Sequence, residues 1–139
     1  MPANKIFLDT AYAIALSAVT DQYHEKAKML AGQIENPDTS LVTTRAVVLE
    51  IGNALARLRY RSAAIELLDS LEQDENVEIV PLTEELYGMA MKLYRERSDK
   101  EWGITDCISF VVMQDLGLVE ALTTDEHFKQ AGFRSLLIE

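Results

Sequence analysis

Four carboxylates stand at the ends of apolar elements or beside an apolar stripe. Asp106 lies in the first turn of a segment, Ile104–Leu116, that is apolar on nearly every side. Asp125 follows the strand-like run Glu120–Thr123 after one intervening residue, and Asp9 ends the short apolar run Lys5–Leu8. Glu50 sits beside the apolar stripe of a helical segment that begins at Arg45. Asp and Glu are almost never fully buried unless they are paired or bind a metal. Two unscreened carboxylates about 4 Å apart repel by roughly 4 kcal/mol at an effective dielectric near 20, so several in one pocket call for protons or a cation. Oxygen donors without thiolate or imidazole favour a hard ion, Mg²⁺ or Mn²⁺. Such an ion keeps positions open for substrate phosphates, which makes phosphodiester hydrolysis the expected chemistry. Each acid also has a plainer use. Asp9 and Asp125 suit helix N-caps, Glu50 a surface ion pair, and Asp106 a single hydrogen-bonded buried position.

The elements that must position these acids alternate along the chain. Lys5–Leu8 reads as a buried strand, followed by a small-residue helix over Thr10–Val19. In Tyr23–Ile34 the apolar positions Ala27, Leu30, Ala31 and Ile34 recur at helical spacing. Leu41–Thr43 is a brief strand, followed by a helix over Arg45–Tyr60 with the stripe Val47, Val48, Ile51, Leu55 and Leu58. A further helix covers Ser62–Glu72. Val77–Val80 is a third strand, ended by Pro81. Thr83 caps a helix expected to turn Leu86, Met89, Ala90, Leu93 and Tyr94 inward. After Ile104–Leu116 come the strand Glu120–Thr123, a last helix, and a fifth strand candidate, Phe133–Ile138. This alternation predicts an α/β fold: one domain over residues 1–139, a doubly wound parallel sheet of four to five strands flanked by helices. Ligands of such sheets gather outside the carboxyl ends of the strands, and all four acids map to that edge.

Composition narrows the class. A chain of 139 residues, 48% hydrophobic and 26% charged, is long enough for a sizeable core without staples. One cysteine excludes an internal disulfide framework and fits a reducing compartment. His24 and His127 have no zinc-like spacing. No run approaches a membrane span. The stretch IFLDTAYAIALSAVT is interrupted by Asp9 and lacks a basic cluster before it, so it reads as strand and helix rather than a signal core. A cytoplasmic location is expected. The formal charge of −10 argues against non-specific binding of nucleic acid over the whole surface, but not against a local basic stripe beside an ion-filled site.

Four stretches, FLDTAYAIAL, TTRAVVLEIGNALAR, WGITDCISFVVM and ALTTDEHFKQAGF, carry a resemblance across nearly the whole chain. Together they resemble the PIN-domain ribonucleases, particularly the VapC-type toxins of bacterial toxin–antitoxin pairs. The last two, in that order and spacing, are the specific part. The resemblance implies a PIN-like fold and an endoribonuclease of single-stranded RNA dependent on Mg²⁺ or Mn²⁺. It places the family's metal-binding acids on Asp9, Glu50, Asp106 and Asp125, the quartet chosen above by topology. It further implies a homodimer and an antitoxin protein as partner. Thr10, Thr105 and Ser109 stand where the family has polar companions, although each also suits a cap or a backbone bond.

Other residues invite weaker readings. Arg57, placed two turns beyond Glu50 on the presumed continuous helix, and Arg45 near the sheet edge are candidates for contact with RNA phosphate. Arg59 and Arg61 read rather as surface pairs or partners of a helix C-terminus. Trp102 and His127 read as packing residues, Cys107 as a small core residue, and Met89, Met91 and Met113 as core or dimer contacts. Two rival functions remain. A non-catalytic PIN-like module would bind RNA or a protein without cutting. An acidic-pocket phosphotransfer protein would need a supporting Lys at a strand tip, and none stands there. A dinucleotide-binding enzyme is disfavoured because no G-x-G-x-x-G follows the first strand.

Overall fold

The computed structural model describes residues 4–139. Five strands, β1 (Asn4–Leu8), β2 (Thr39–Thr44), β3 (Val77–Val80), β4 (Glu120–Leu122) and β5 (Arg134–Ser135), form one sheet in the order β3-β2-β1-β4-β5. Every pairing is parallel. Seven helices fill the connections: α1 (Thr10–Ser17), α2 (His24–Ile34), α3 (Arg45–Ala54), α4 (Leu58–Gln73), α5 (Glu84–Glu96), α6 (Ile104–Leu116) and α7 (Glu126–Gln130). This is the doubly wound α/β sheet that the alternation of elements predicts. The order reverses between β1 and β4, and such switch points are where these sheets open a crevice for ligands.

Parallel strands covered on both faces need apolar residues on both. Accordingly Ile6, Phe7 and Leu8 of β1 are all buried, as are Ala121 and Leu122 of β4. On the helix side, α1 packs against α2, α3 and α4, while α5 packs against α6. The run Cys107–Met113 of α6 is buried throughout, which accounts for its apolar composition on every face. Gly117 ends α6 at φ 67°, a left-handed conformation that glycine adopts without a Cβ penalty. The Leu118 N–H then returns to the Met113 carbonyl at 2.8 Å, turning the chain into β4.

Four aromatic rings fix the elements that carry three of the acids. Phe110 meets Trp102 edge-on at 4.9 Å and Phe128 at 4.9 Å, and Phe128 lies 6.2 Å from Phe7. Each such pair is worth about 0.5–1.5 kcal/mol beyond its buried area. Phe7 precedes Asp9 by two residues, Phe110 follows Asp106 by four, and Phe128 follows Asp125 by three. One core cluster therefore registers β1, α6 and α7 against each other. Trp102 belongs to it, buried and with its indole N–H donating to Gln130 Oε1 at 2.9 Å, so the packing reading holds.

Three expectations are corrected. The helix read as Arg45–Tyr60 is two elements: α3 stops at Ala54 and α4 begins at Leu58. No Gly or Pro marks the break. The chain turns because Leu55 drops into the core at 1% exposure, while Leu58 opens the next helix at 94% exposure, outside the apolar stripe assigned to it. The Arg61 guanidinium donates to the Ala56 carbonyl across that turn. On α5, Leu86 and Ala90 are buried but Met89 and Tyr94 are exposed, because the helix packs against α6 with only a narrow face. After β5, which is two residues long, the chain closes as a 3₁₀ turn at Leu136–Ile138 rather than continuing as strand.

Candidate metal centre at the β1–β4 switch point

Asp9 leaves the end of β1 and occupies the N-cap position of α1 with extended backbone, yet its side chain makes no capping bond. Its Oδ2 accepts a hydrogen bond from the Thr123 hydroxyl at 2.7 Å instead. Thr123 follows β4 and is fully buried; its Oγ1 also accepts the Asp125 N–H at 3.0 Å. One hydroxyl thus joins the ends of the two central strands. Asp9 is 5% exposed, and burial drives its carboxyl pKa up to about 7. The bonds from Thr123 and the Thr10 N–H hold it lower than burial alone would. The nearby charges of Asp106 and Glu50 push it further up.

Asp106 occupies the third position of α6, where its Oδ2 accepts the Gly103 N–H at 3.0 Å. Acids are favoured in the first turn because the helix dipole and unpaired N–H groups face them. Partial burial nevertheless raises the Asp106 pKa, and the Asp125 charge adds to the rise; the Gly103 bond and His127 oppose it. Asp125 caps α7, its Oδ1 accepting the His127 N–H at 2.8 Å. The Ser135 hydroxyl holds the Asp125 carbonyl at 2.9 Å. The N-cap use foreseen for Asp125 is real, and it leaves the carboxylate only about a third exposed, facing Asp106.

Glu50, in the second turn of α3, is exposed, and its Oε1 accepts from the Thr10 hydroxyl. Its charge is felt at Asp9, so all four acids do converge on one edge. They are not equidistant. Among the described residues, the group close enough to share one ion is Asp106, Asp125 and His127, whose donor atoms lie within 4.8 Å of one another. The His127 Nδ1 stands 3.3 Å from Asp106 Oδ2 and 3.3 Å from Asp125 Oδ1. The packing reading of His127 is therefore wrong: in sequence it has no acid partner but Asp125, and its second partner arrives from α6 only through folding.

The remaining candidates divide. Thr10 belongs to the centre through Glu50. Thr105 is half-buried at the head of α6, and its carbonyl accepts the hydroxyl of the buried Ser109 at 3.1 Å, the backbone-bonding use foreseen for Ser109. Arg45, first residue of α3, is engaged in an ion pair with Glu72 of α4. Arg57 is exposed at the N-cap of α4 and so does not ride the Glu50 helix as the spacing implied. Arg59 lies over the Tyr60 ring at 5.1 Å. Cys107 is buried with its thiol pKa raised by burial and by Asp106, the inert core cysteine expected. A separate concavity lined by Tyr12, Asn36, Thr39, Asp74 and Asn76 opens at the opposite, amino end of the strands.

The donor set suits a divalent cation: three ligand groups within reach, two further carboxylates beside them, and a buried Asp9 whose charge is costly without a counter-ion. The PIN domain profile matches residues 6–134, and the chain belongs to the PIN-domain family.

Particular relatives sharpen the placement. The chain is 27% identical over 128 residues to the 23S rRNA-specific endonuclease VapC20 of Mycobacterium tuberculosis (strain CDC 1551 / Oshkosh), covering 92% of this chain and 95% of that protein. The crystal structure of VapC20, a Sarcin-Ricin loop cleaving toxin, matches with a TM-score of 0.83 at 27% identity, over 93% of this chain and 96% of that one. VapBC-1 from nontypeable Haemophilus influenzae has a TM-score of 0.64 at 15% identity, over 95% and 98% of the two chains. FitAcB from Neisseria gonorrhoeae has a TM-score of 0.61 at 21% identity, over 93% and 96%. These last two share the fold.

Proposed function

We propose that this chain is a divalent-metal-dependent endoribonuclease of the VapC type, cutting phosphodiester bonds of single-stranded RNA. The observation that carries the reading is the convergence of Asp106, Asp125 and His127, with Asp9 and Glu50 beside them, at the sheet's switch point. Family membership and the likeness to VapC20 support the same class of reaction.

Asp106 and Asp125 hold the ion directly, and Asp9 completes the negative wall behind them. An ion held there, Mg²⁺ or Mn²⁺, supplies Lewis acidity toward the scissile phosphodiester. The protein's share is positioning. Gly103 and His127 backbone N–H groups point the carboxylates of Asp106 and Asp125, the Thr123 hydroxyl points Asp9, and the Thr10 hydroxyl points Glu50. Glu50, exposed and oriented, is the group placed to accept a proton from an attacking water. Arg57 is a solvent-facing cation for an incoming phosphate, a role that Arg45 shares only by leaving Glu72. Thr105 and Ser109 act through the α6 backbone rather than on RNA.

The partners that fit this reading are RNA, an antitoxin protein and a second copy of the chain. Exposed Tyr87, Met89 and Tyr94 on α5, with Leu116 of α6 lining one concavity together with Met89, supply apolar surface for such contacts. Among the described residues no helix is long and apolar enough to cross a membrane, and the reading places the protein in the cytoplasm with its RNA. The test is incubation with a panel of cellular RNAs that includes 23S rRNA, with and without Mn²⁺, followed by mapping of cut ends. Discrete new ends that need the ion support the reading. RNA that is bound but stays intact returns the chain to a binding module.

A further inference from the structure

We propose that His127 is a nitrogen ligand to the ion held by Asp106 and Asp125, and that this donor makes the centre prefer Mn²⁺ over Mg²⁺. The inference rests on the nuclease reading and deepens it.

Both carboxylate oxygens that face the ring are already served. Asp106 Oδ2 accepts the Gly103 N–H at 3.0 Å and Asp125 Oδ1 accepts the His127 backbone N–H at 2.8 Å. The imidazole is not needed to satisfy either oxygen. It also makes a poor hydrogen bond to both, since 3.3 Å to each oxygen exceeds the roughly 2.7–2.9 Å of a charge-assisted N–H···O contact. An equal separation from two oxygens has another meaning. Neighbouring ligands at right angles on one ion, with bonds of about 2.1–2.3 Å, stand about 3.0–3.3 Å apart. The three donors also lie within 4.8 Å of one another, a spacing one ion spans.

The ring is held in place. Phe128, the next residue, is fully buried between Phe7 and Phe110 and pins the short helix α7. The Ser135 hydroxyl clamps the Asp125 carbonyl that opens α7. The His127 side chain is still 28% exposed, so an ion from solution reaches it. Mg²⁺ takes oxygen ligands and gives up its waters reluctantly, whereas Mn²⁺, although it too favours oxygen, is the larger and softer ion and accepts an imidazole nitrogen more readily. A nitrogen among the donors therefore adds more to Mn²⁺ binding than to Mg²⁺ binding.

Pulsed electron paramagnetic resonance of Mn²⁺ bound to the full chain tests this, because a coordinated imidazole imprints a ¹⁴N coupling on the ion. The wild type should show that coupling. His127→Gln should bind Mn²⁺ about tenfold more weakly, lose the coupling, and change its Mg²⁺ affinity by less than about threefold. His127→Ala serves as a second variant, and the α7 cap survives in both because it uses the backbone N–H. Bound Mn²⁺ without nitrogen coupling in the wild type overturns the proposal, as does equal weakening of both ions by His127→Gln. The nuclease reading fails separately, if wild-type protein with Mn²⁺ bound leaves RNA intact. A wild type that binds no Mn²⁺ removes both.

Discussion

The Thr123 hydroxyl donates to Asp9 Oδ2 at 2.7 Å while its oxygen accepts the Asp125 N–H at 3.0 Å, so one side chain ties together the ends of β1 and β4. The bond is buried, and its loss leaves both partners unsatisfied. An unpaired buried group costs about 1–3 kcal/mol, more when it is charged. Thr123→Val keeps the shape and removes the hydroxyl. It should lower stability in urea melts by about 2 kcal/mol, and RNA cleavage should fall with it. Thr123→Ser should restore most of both. A Val variant as stable as wild type would show that Asp9 has another partner.

The centre is destabilising without its ion, and pH reveals this. The Asp9 carboxyl has a pKa of about 7 in the folded chain against 3.8 for a free one. The native state therefore binds more protons than the unfolded state between those values. Stability attributable to this group is fully present below about pH 4, falls as pH rises through 7, and is flat above that. The full span is worth roughly 4 kcal/mol. Metal-free protein should accordingly show a higher urea midpoint at pH 5 than at pH 8, with added Mn²⁺ closing the gap at pH 8. A midpoint that rises across this range without metal would contradict the burial of an unpaired Asp9 charge.

Asp106→Asn separates chemistry from folding. The amide oxygen can still accept the Gly103 N–H that heads α6, and one negative charge near Asp9 and Asp125 disappears. The metal-free variant should be at least as stable as wild type at pH 8, by circular dichroism and thermal melting, and should lose the stabilisation by Mn²⁺. A marked fall in melting temperature would mean that the acid serves the fold more than the ion.

Arg57 and Arg45 should respond differently to substitution. Arg57→Ala should weaken RNA binding and lower the salt slope by about 1, the value for one phosphate contact. Arg45→Ala should change the slope less, because its guanidinium is committed to Glu72. Filter binding over a range of salt concentrations reads both, and an unchanged slope for Arg57→Ala would remove it from the RNA path.

Much of this was legible in the sequence because strand and helix patterns differ in period. Runs such as Lys5–Leu8 and Val77–Val80 read directly as strands, and their alternation with helices is enough for the parallel, doubly wound order. Topology then brings the four acids to one edge. Interactions between residues distant in the chain were not legible. Thr123 looks like any strand-end threonine until Asp9 lies against it. Of the two acids that the His127 ring meets, only Asp125 is near it in sequence, and the second comes from α6, 21 positions earlier. The break between α3 and α4 carries no Gly or Pro, so continuous helical periodicity concealed it and put Arg57 on the wrong face.

The claim at the centre is that Asp106 and its neighbours hold an ion that cuts RNA. Sequencing of RNA ends after incubation with wild type and Asp106→Asn, each with Mn²⁺ and with a chelator, tests it most directly. Discrete ends should form only with wild type and Mn²⁺. The same ends formed by the variant, or by wild type in chelator, would contradict it.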